Sequence, residues 1–191
     1  GPIRIADLGA GSGWLSARLG ESGCSPVATD VLDDDMDGLG AGRLSPYPFP
    51  RVVADFDDLP FAVRQFEAVI FNGSLHYAPD VARTLNRAAE LLAPGGILIV
   101  ADSPVFGDAE DGERMCARNR DRFQHEYGIA TPVQIGEGFL TFDGLAAVAR
   151  TLGREAHYFE SRGPAHWAAH RWLTRVTGGP PAPQFGVWVA T

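Results

Sequence analysis

The chain reads as a doubly wound α/β fold built on a mostly parallel sheet, and three observations predict it. Short, unalternating runs rich in Val and Ile recur between segments with helical periodicity. The first run leads into "DLGAGSGWLS" (residues 7–16), which packs three glycines into five residues and opens a helix. Acids stand where the next two runs end, at Asp30 and Asp55. Unalternating strands are those covered by helices on both faces, and strand–helix alternation is the mark of a parallel sheet.

Taken in order, "IRIADL" (residues 3–8) is the first strand, and Trp14–Glu21 is a short helix with Leu15 and Leu19 on one face, stopped near residues 20–23. "SPVATD" (25–30), "RVVADF" (51–56), "FEAVIFN" (66–72) and "GILIVAD" (96–102) supply strands two to five. Before the fifth strand, Asp80 offers an N-cap. Val81, Leu85, Ala88, Ala89 and Leu92 then fall at helical spacing until Pro94-Gly95-Gly96 ends the pattern. Thr141 caps a later helix carrying Leu145, Val148, Ala149 and Leu152, with Gly153 as its stop. "AHYFES" (156–161) and "QFGVWVAT" (184–191) are the last two strands, with an aromatic helix over residues 164–176 between them.

Two stretches depart from alternation. Residues 31–50 are polar and loop-like where a second crossover helix is expected. Residues 106–138 form a long insertion with a charged, weakly amphipathic helix around 108–127, read either as a lid over a site or as a surface helix filling a gap. Residues 1–191 are read as one domain.

Composition narrows the function. The 191 residues are 45% hydrophobic and 21% charged, which suits a sizeable core and not disorder. A net charge of −8 with no basic face argues against a non-specific partner of nucleic acid or of an anionic membrane. There is no apolar run long enough for a bilayer and no basic-then-apolar leader. Cys24 and Cys116 are far apart and in no C-x-x-C spacing, so free thiols in a reducing, cytoplasmic setting are expected. All 16 basic residues are arginine. That excludes a Schiff-base lysine, a G-x-x-x-x-G-K-[ST] phosphate loop and a Tyr-x-x-x-Lys hydride-transfer pair.

The glycines carry the chemistry. Gly9, Gly11 and Gly13 let the backbone turn tightly and approach a ligand closely, and free N–H groups at the helix start favour a carboxylate. The dinucleotide fingerprint is G-x-G-x-x-G, whereas the spacing here is G-x-G-x-G with Asp7 two places before the first glycine. A carboxylate repels a pyrophosphate and attracts an ammonium group, so the bend suits a ligand carrying both signs, such as an amino-acid head group. Asp30 stands where a carboxylate accepts from two ribose hydroxyls. Asp55 can accept from an exocyclic adenine amine, and Phe56 can lie against the ring. Each acid taken singly is also explained as a solvated strand end or a cap.

Together "DLGAGSG", "VATD", "ADFDDLPF", "FEAVIFNGSLHYAPD" and "LLAPGGILIVAD" resemble the class I S-adenosylmethionine-dependent methyltransferases, and within them the small-molecule group of the ubiquinone/menaquinone C-methyltransferases. The resemblance runs from about Ile3 to Asp102. It implies a Rossmann-like, seven-stranded sheet that ends in an antiparallel hairpin, with helices on both faces. It implies S-adenosylmethionine as cofactor, with Gly9, Ala10, Gly11 and Gly13 on the methionine part, Asp30 on the ribose, Asp55 and Phe56 on the adenine, and Asn72 near the sulfonium. The family's helical segment before the first strand has no counterpart here, which leaves closure of the pocket to the insertion or to a trimmed segment.

A methyl already activated by a sulfonium requires a dry, aligned site and, for some acceptors, a base. Ligands bind at the carboxyl ends of parallel strands, which singles out "NGSLHY" and "ADSPVF". His76 is a candidate general base there, with a capping or packing histidine as the alternative. Tyr77 and Asp102 are candidate substrate contacts. His166 and His170 share a helix face, but Trp167 stands where a zinc helix needs Glu, and the run Asp33, Asp34, Asp35, Asp37 reads as a solvated loop, so no metal is expected. Of the four tryptophans, Trp14, directly after the glycine bend, is the one singled out from the core. The leading reading is methyl transfer to a small molecule. A non-catalytic cofactor-binding partner or regulatory subunit and an NAD(P)-dependent oxidoreductase are the alternatives.

Overall fold

The computed structural model describes residues 1–128, 136–161 and 182–191. Seven strands form one sheet in the order β3-β2-β1-β4-β5-β9-β8. These are β1 (Arg4–Leu8), β2 (Ser25–Asp30), β3 (Arg51–Val53), β4 (Phe66–Asn72), β5 (Leu92–Ala101), β8 (Ala156–Glu160) and β9 (Gly186–Ala190). Strands β1 to β5 run parallel, and β9 is antiparallel to both β5 and β8. The doubly wound sheet and its antiparallel end are therefore as expected. The order reverses between β1 and β4, which opens a crevice at their carboxyl ends.

Side-chain alternation sorts the two faces. On one face Ala6, Leu8, Val69, Phe71, Val100 and Trp188 meet Leu85, Ala88, Leu145 and Val148 from helices α2 (Val81–Glu90) and α4 (Phe142–Thr151). On the other, Ile5, Ala68 and Ile70 pack against Leu15 and Leu19 of α1 (Trp14–Glu21). Capping follows the sequence: Asp80 accepts from Arg83 N and Thr141 from Gly144 N. No crossover helix follows β2. A short 3-10 turn, Leu39–Leu44, takes its place, and Leu39 and Phe49 seal the sheet around Ala28.

Several boundaries move, three of them near the crevice or the fifth strand, and the last two strands are each shorter than expected. The third strand stops at Val53, because Asp55 turns the chain by accepting from Asp57 N (2.9 Å), so Asp55 and Phe56 lie beyond the strand. The helix before the fifth strand ends at Glu90, and Leu92 pairs with Phe66 as the start of β5; the residues around Pro94 bulge out where the register shifts. Asp102 lies just past β5 with φ 50°. The aromatic helix expected over residues 164–176, with His166, Trp167, His170 and Trp172, lies outside the described residues.

The insertion leaves and returns at one place. Strands β6 (Val105–Phe106) and β7 (Leu140–Thr141) pair in parallel, and Leu140 N donates to Pro104 O (2.8 Å). Between them, α3 (Ala109–Tyr127) starts at Asp108, which accepts from Glu110 N, and buries only Gly112 and Cys116, against Phe106 and Phe139. Among the described residues no helix is long and apolar enough to cross a membrane.

A Cβ at Gly112 would run into the Phe139 ring. Gly112→Ala is expected to push α3 off that ring and lower the unfolding free energy by about 1–3 kcal/mol. Urea denaturation checks this, and an unchanged midpoint contradicts the contact.

Candidate functional site

The crevice is built around the glycine bend. Gly9, Gly11 and Gly13 have φ of 71°, 53° and 75°, a region that favours glycine. The three are not equivalent. The space a Cβ would take at Gly9 is filled by Ser74 and Phe56, and at Gly13 by Phe49. At Gly11 the nearest atom would be Asp37 O at an ordinary 3.7 Å, so this is where the bend stands open. Gly9 N and Ala10 N both donate to Thr29 O (2.8 and 3.0 Å), which ties the bend to β2. Gly13 is the N-cap of α1.

Asp7 lies behind the bend on the α1 side and is fully buried. Ser16 Oγ donates to its Oδ2 (2.8 Å), while Oδ1 has no partner among the described residues. Burial pushes its carboxyl up to about 6 against the opposing Ser16 hydrogen bond, and the negative charge of Asp30 adds to the rise. Asp30 reaches across the bend: Gly11 N donates to Oδ2 (2.8 Å) and Leu32 N to Oδ1 (3.0 Å). Each of its oxygens keeps a further lone pair for a ligand. The Phe56 ring sits edge-on to Phe71, with centroids 5.5 Å apart, and against Gly9. Asp55 is exposed.

The ends of β4 and β5 form the neighbouring wall. Asn72 closes β4, half-buried and paired with Ala101. Ser74 is buried, and its Oγ donates to Leu8 O (2.6 Å), which clamps this turn to the bend. Ser74 lies within "NGSLHY" but has no role in the sequence reading; its position right after a glycine turn is the signal that marks it. His76 and Tyr77 stack, with centroids 4.2 Å apart, and His76 Nδ1 lies 3.3 Å from Ser103 Oγ. Burial holds the imidazole down to about 4, so the ring is neutral at physiological pH and a weak proton acceptor. Tyr77 is 52% exposed. Asp102 is exposed in left-handed backbone, its N–H donating to Gly186 O (3.2 Å). The insertion reaches this wall, since Gly138 N donates to His76 O (3.0 Å).

The structure thus brings Asp7, Gly9, Ala10, Gly11, Gly13, Asp30 and Phe56 into one contiguous group, with the turn carrying Ser74, His76 and Tyr77 clamped beside it. Trp14 is 63% exposed, with the Arg18 guanidinium 6.0 Å from its ring centre. The acidic run is spent locally: Asp34 accepts from Met36 N and Asp37 N, and Arg43 pairs with Asp35 (2.8 Å) and Asp33 (3.9 Å). Among the described residues no group of three or more His, Cys, Asp or Glu is placed to hold a metal ion.

Comparison with known proteins bears on family and fold. Residues 6–100 match the family model described as a methyltransferase domain. A demethylmenaquinone methyltransferase of Clavibacter sepedonicus is 35% identical over 100 residues, covering 52% of this chain and 40% of its own. A malonyl-[acyl-carrier protein] O-methyltransferase of Methylococcus capsulatus is 30% identical over 161 residues, covering 80% of this chain and 56% of its own. The chain therefore spans about half the length of such curated relatives. The crystal structure of an S-adenosylmethionine-dependent methyltransferase from Mesorhizobium loti superposes with a TM-score of 0.70 at 20% identity, covering 100% of this chain and 92% of that one, and so shares the fold. The matched segment runs from β1 through β5 and contains the glycine bend and the acids around it, so this part of the chain is a methyltransferase domain, on the fold of the class I S-adenosylmethionine-dependent methyltransferases.

Proposed function

We propose that this chain binds S-adenosylmethionine at the glycine bend and directs its methyl group to a small-molecule acceptor at the ends of β4 and β5. One observation carries the reading: the fully buried Asp7 keeps an unpartnered oxygen directly behind a bend that stands open at Gly11. An orphaned buried carboxylate oxygen is costly, and a ligand ammonium, directly or through an ordered water, relieves it. The residues fit the cofactor. Asp7, Gly9, Ala10, Gly11 and Gly13 would hold the amino-acid end, Asp30 the ribose, Asp55 with Phe56 the adenine, and Asn72 the region of the sulfur. When bound, the cofactor supplies an electrophilic methyl group on a positively charged sulfur.

The chain's own residues then position and exclude. Asp30 fixes the bend through Gly11 N–H. Ser74 sets the distance between bend and acceptor wall. In this reading of one domain, the insertion (residues 106–138) would serve as the lid on the acceptor side, and the bond from Gly138 N to the His76 carbonyl, at its tail, supports that. Tyr77 and Asp102, both exposed after β4 and β5, would meet the acceptor. Demethylmenaquinone, which one relative is named for, is a small molecule, and that supports this acceptor class.

Calorimetry with S-adenosylhomocysteine tests the binding half: binding of it and not of NADH is expected, and refusal by well-folded protein contradicts the reading. Asp30→Ala is expected to weaken that binding by roughly 1–3 kcal/mol through stranded polar partners, and unchanged affinity removes Asp30 from the site. Gly11→Val should abolish binding, because the bend needs its positive φ and its open side; normal binding overturns the close-approach assignment. Asp7 must be ionised to attract an ammonium, and its carboxyl takes up a proton below about 6. Affinity should therefore fall about tenfold between roughly pH 7.5 and 5 in the wild type and stay flat in Asp7→Asn; equal slopes contradict the role. Turnover in an acceptor screen separates the enzyme from a cofactor-binding subunit that transfers nothing.

A further inference from the structure

Ser103 is buried just after β5, and its hydroxyl lies 3.3 Å from His76 Nδ1. Among the described residues the imidazole is the partner this hydroxyl has. A buried O–H without an acceptor forfeits its hydrogen bond at full desolvation cost, whereas an oxygen with an unused lone pair is tolerated better. The hydroxyl therefore donates to Nδ1. In a neutral ring that leaves the proton on Nε2. The Tyr77 ring packs against the imidazole at a tilt, and the backbone of the turn is fixed separately by Gly138 N, which donates to the His76 carbonyl. The titratable neighbours are Tyr77 on the same turn, Asp102 beside Ser103, and Glu137 beside Gly138.

We propose that Ser103 is a positioning residue that locks His76 as its Nε2–H tautomer, making His76 a hydrogen-bond donor to an oxygen of the acceptor rather than a base. A base at this position needs a bare Nε2, which requires Nδ1 to carry the proton and Ser103 to accept it. Desolvation of the ring works in the same direction by keeping it unprotonated. The consequence for specificity is an acceptor with a carbonyl, carboxylate or enolate oxygen at or beside the methylated atom, oriented by the Nε2–H bond. The acceptor class rests on the methyl-transfer reading; the tautomer lock does not.

Long-range proton–nitrogen NMR of the full, nitrogen-15-labelled chain tests the lock, with His76 assigned by loss of its signals in His76→Gln. The wild type is expected to show a pyridine-type Nδ1 and a pyrrole-type Nε2 at neutral pH, unchanged down to about pH 5.5. Ser103→Ala should give a mixture of tautomers, and Ser103→Thr, which keeps the hydroxyl, should restore the single form. A wild-type ring protonated on Nδ1 at neutral pH, or a Ser103→Ala spectrum identical to wild type, overturns the proposal; the first does not depend on the Ser103 variants folding. In the acceptor screen, carboxylates and 1,3-dicarbonyls should be methylated and simple aliphatic amines not, and the reverse overturns the donor role. Failure to bind S-adenosylhomocysteine with the lock intact refutes methyl transfer alone, while binding with an Nδ1–H ring refutes the lock alone.

Discussion

Thr29 and Asp30, the last two residues of β2, hold the glycine bend in shape. The Thr29 carbonyl accepts from both Gly9 and Ala10, and the Asp30 carboxylate accepts from Gly11. Those three donors sit where the chain leaves β1 for α1, and the end of β2 is what satisfies them. These bonds oppose the conformational freedom of the left-handed sequence Gly9, Gly11 and Gly13. Once the bend is fixed, Ser74 clamps the turn after β4 to Leu8, and through it His76, Tyr77 and the tail of the insertion take their places. A sheet-end contact thereby reaches the whole crevice.

Asp7 shows the opposing pressures within that knot. Burying its carboxyl works against the fold, as its raised pKa records, and a single serine hydroxyl compensates only one oxygen. A leucine or valine there would fill the same layer with Ile5 and Ile70 at no electrostatic cost. In the proposed function the unsatisfied carboxylate is preorganisation for a cationic group. In the same economy, His76 is desolvated and neutral, and Asp102 is held in backbone that few non-glycine residues adopt. Departures from local rules thus cluster at one edge of one sheet, where a site is expected.

Much of this was legible in the residues. The period of the apolar runs located the strands of the sheet, because strands covered on both faces carry no polar alternation to blur them. Asp80 and Thr141 announced their helices, since capping is a local interaction. The glycine spacing and Asp30 pointed to the crevice. What escaped was set by contacts between distant segments. Leu92 has helical spacing yet joins β5, because Phe66 offers it a ladder partner. Asp55 and Phe56 left the third strand because an edge strand has one neighbour and a side-chain turn competes well with it. The different packing of the three glycines was not legible either: a side chain at Gly9 or Gly13 would meet Ser74, Phe56 or Phe49, segments far away in sequence, whereas Gly11 faces open space. The Ser103–His76 contact spans 27 residues and has no sequence signature.

The most direct measurement is a crystal structure of the chain grown with S-adenosylhomocysteine. The account predicts ligand density along the bend, with the amino-acid end over Gly11 and the ribose at Asp30. Density lodged elsewhere, or none in crystals of well-folded protein, contradicts it.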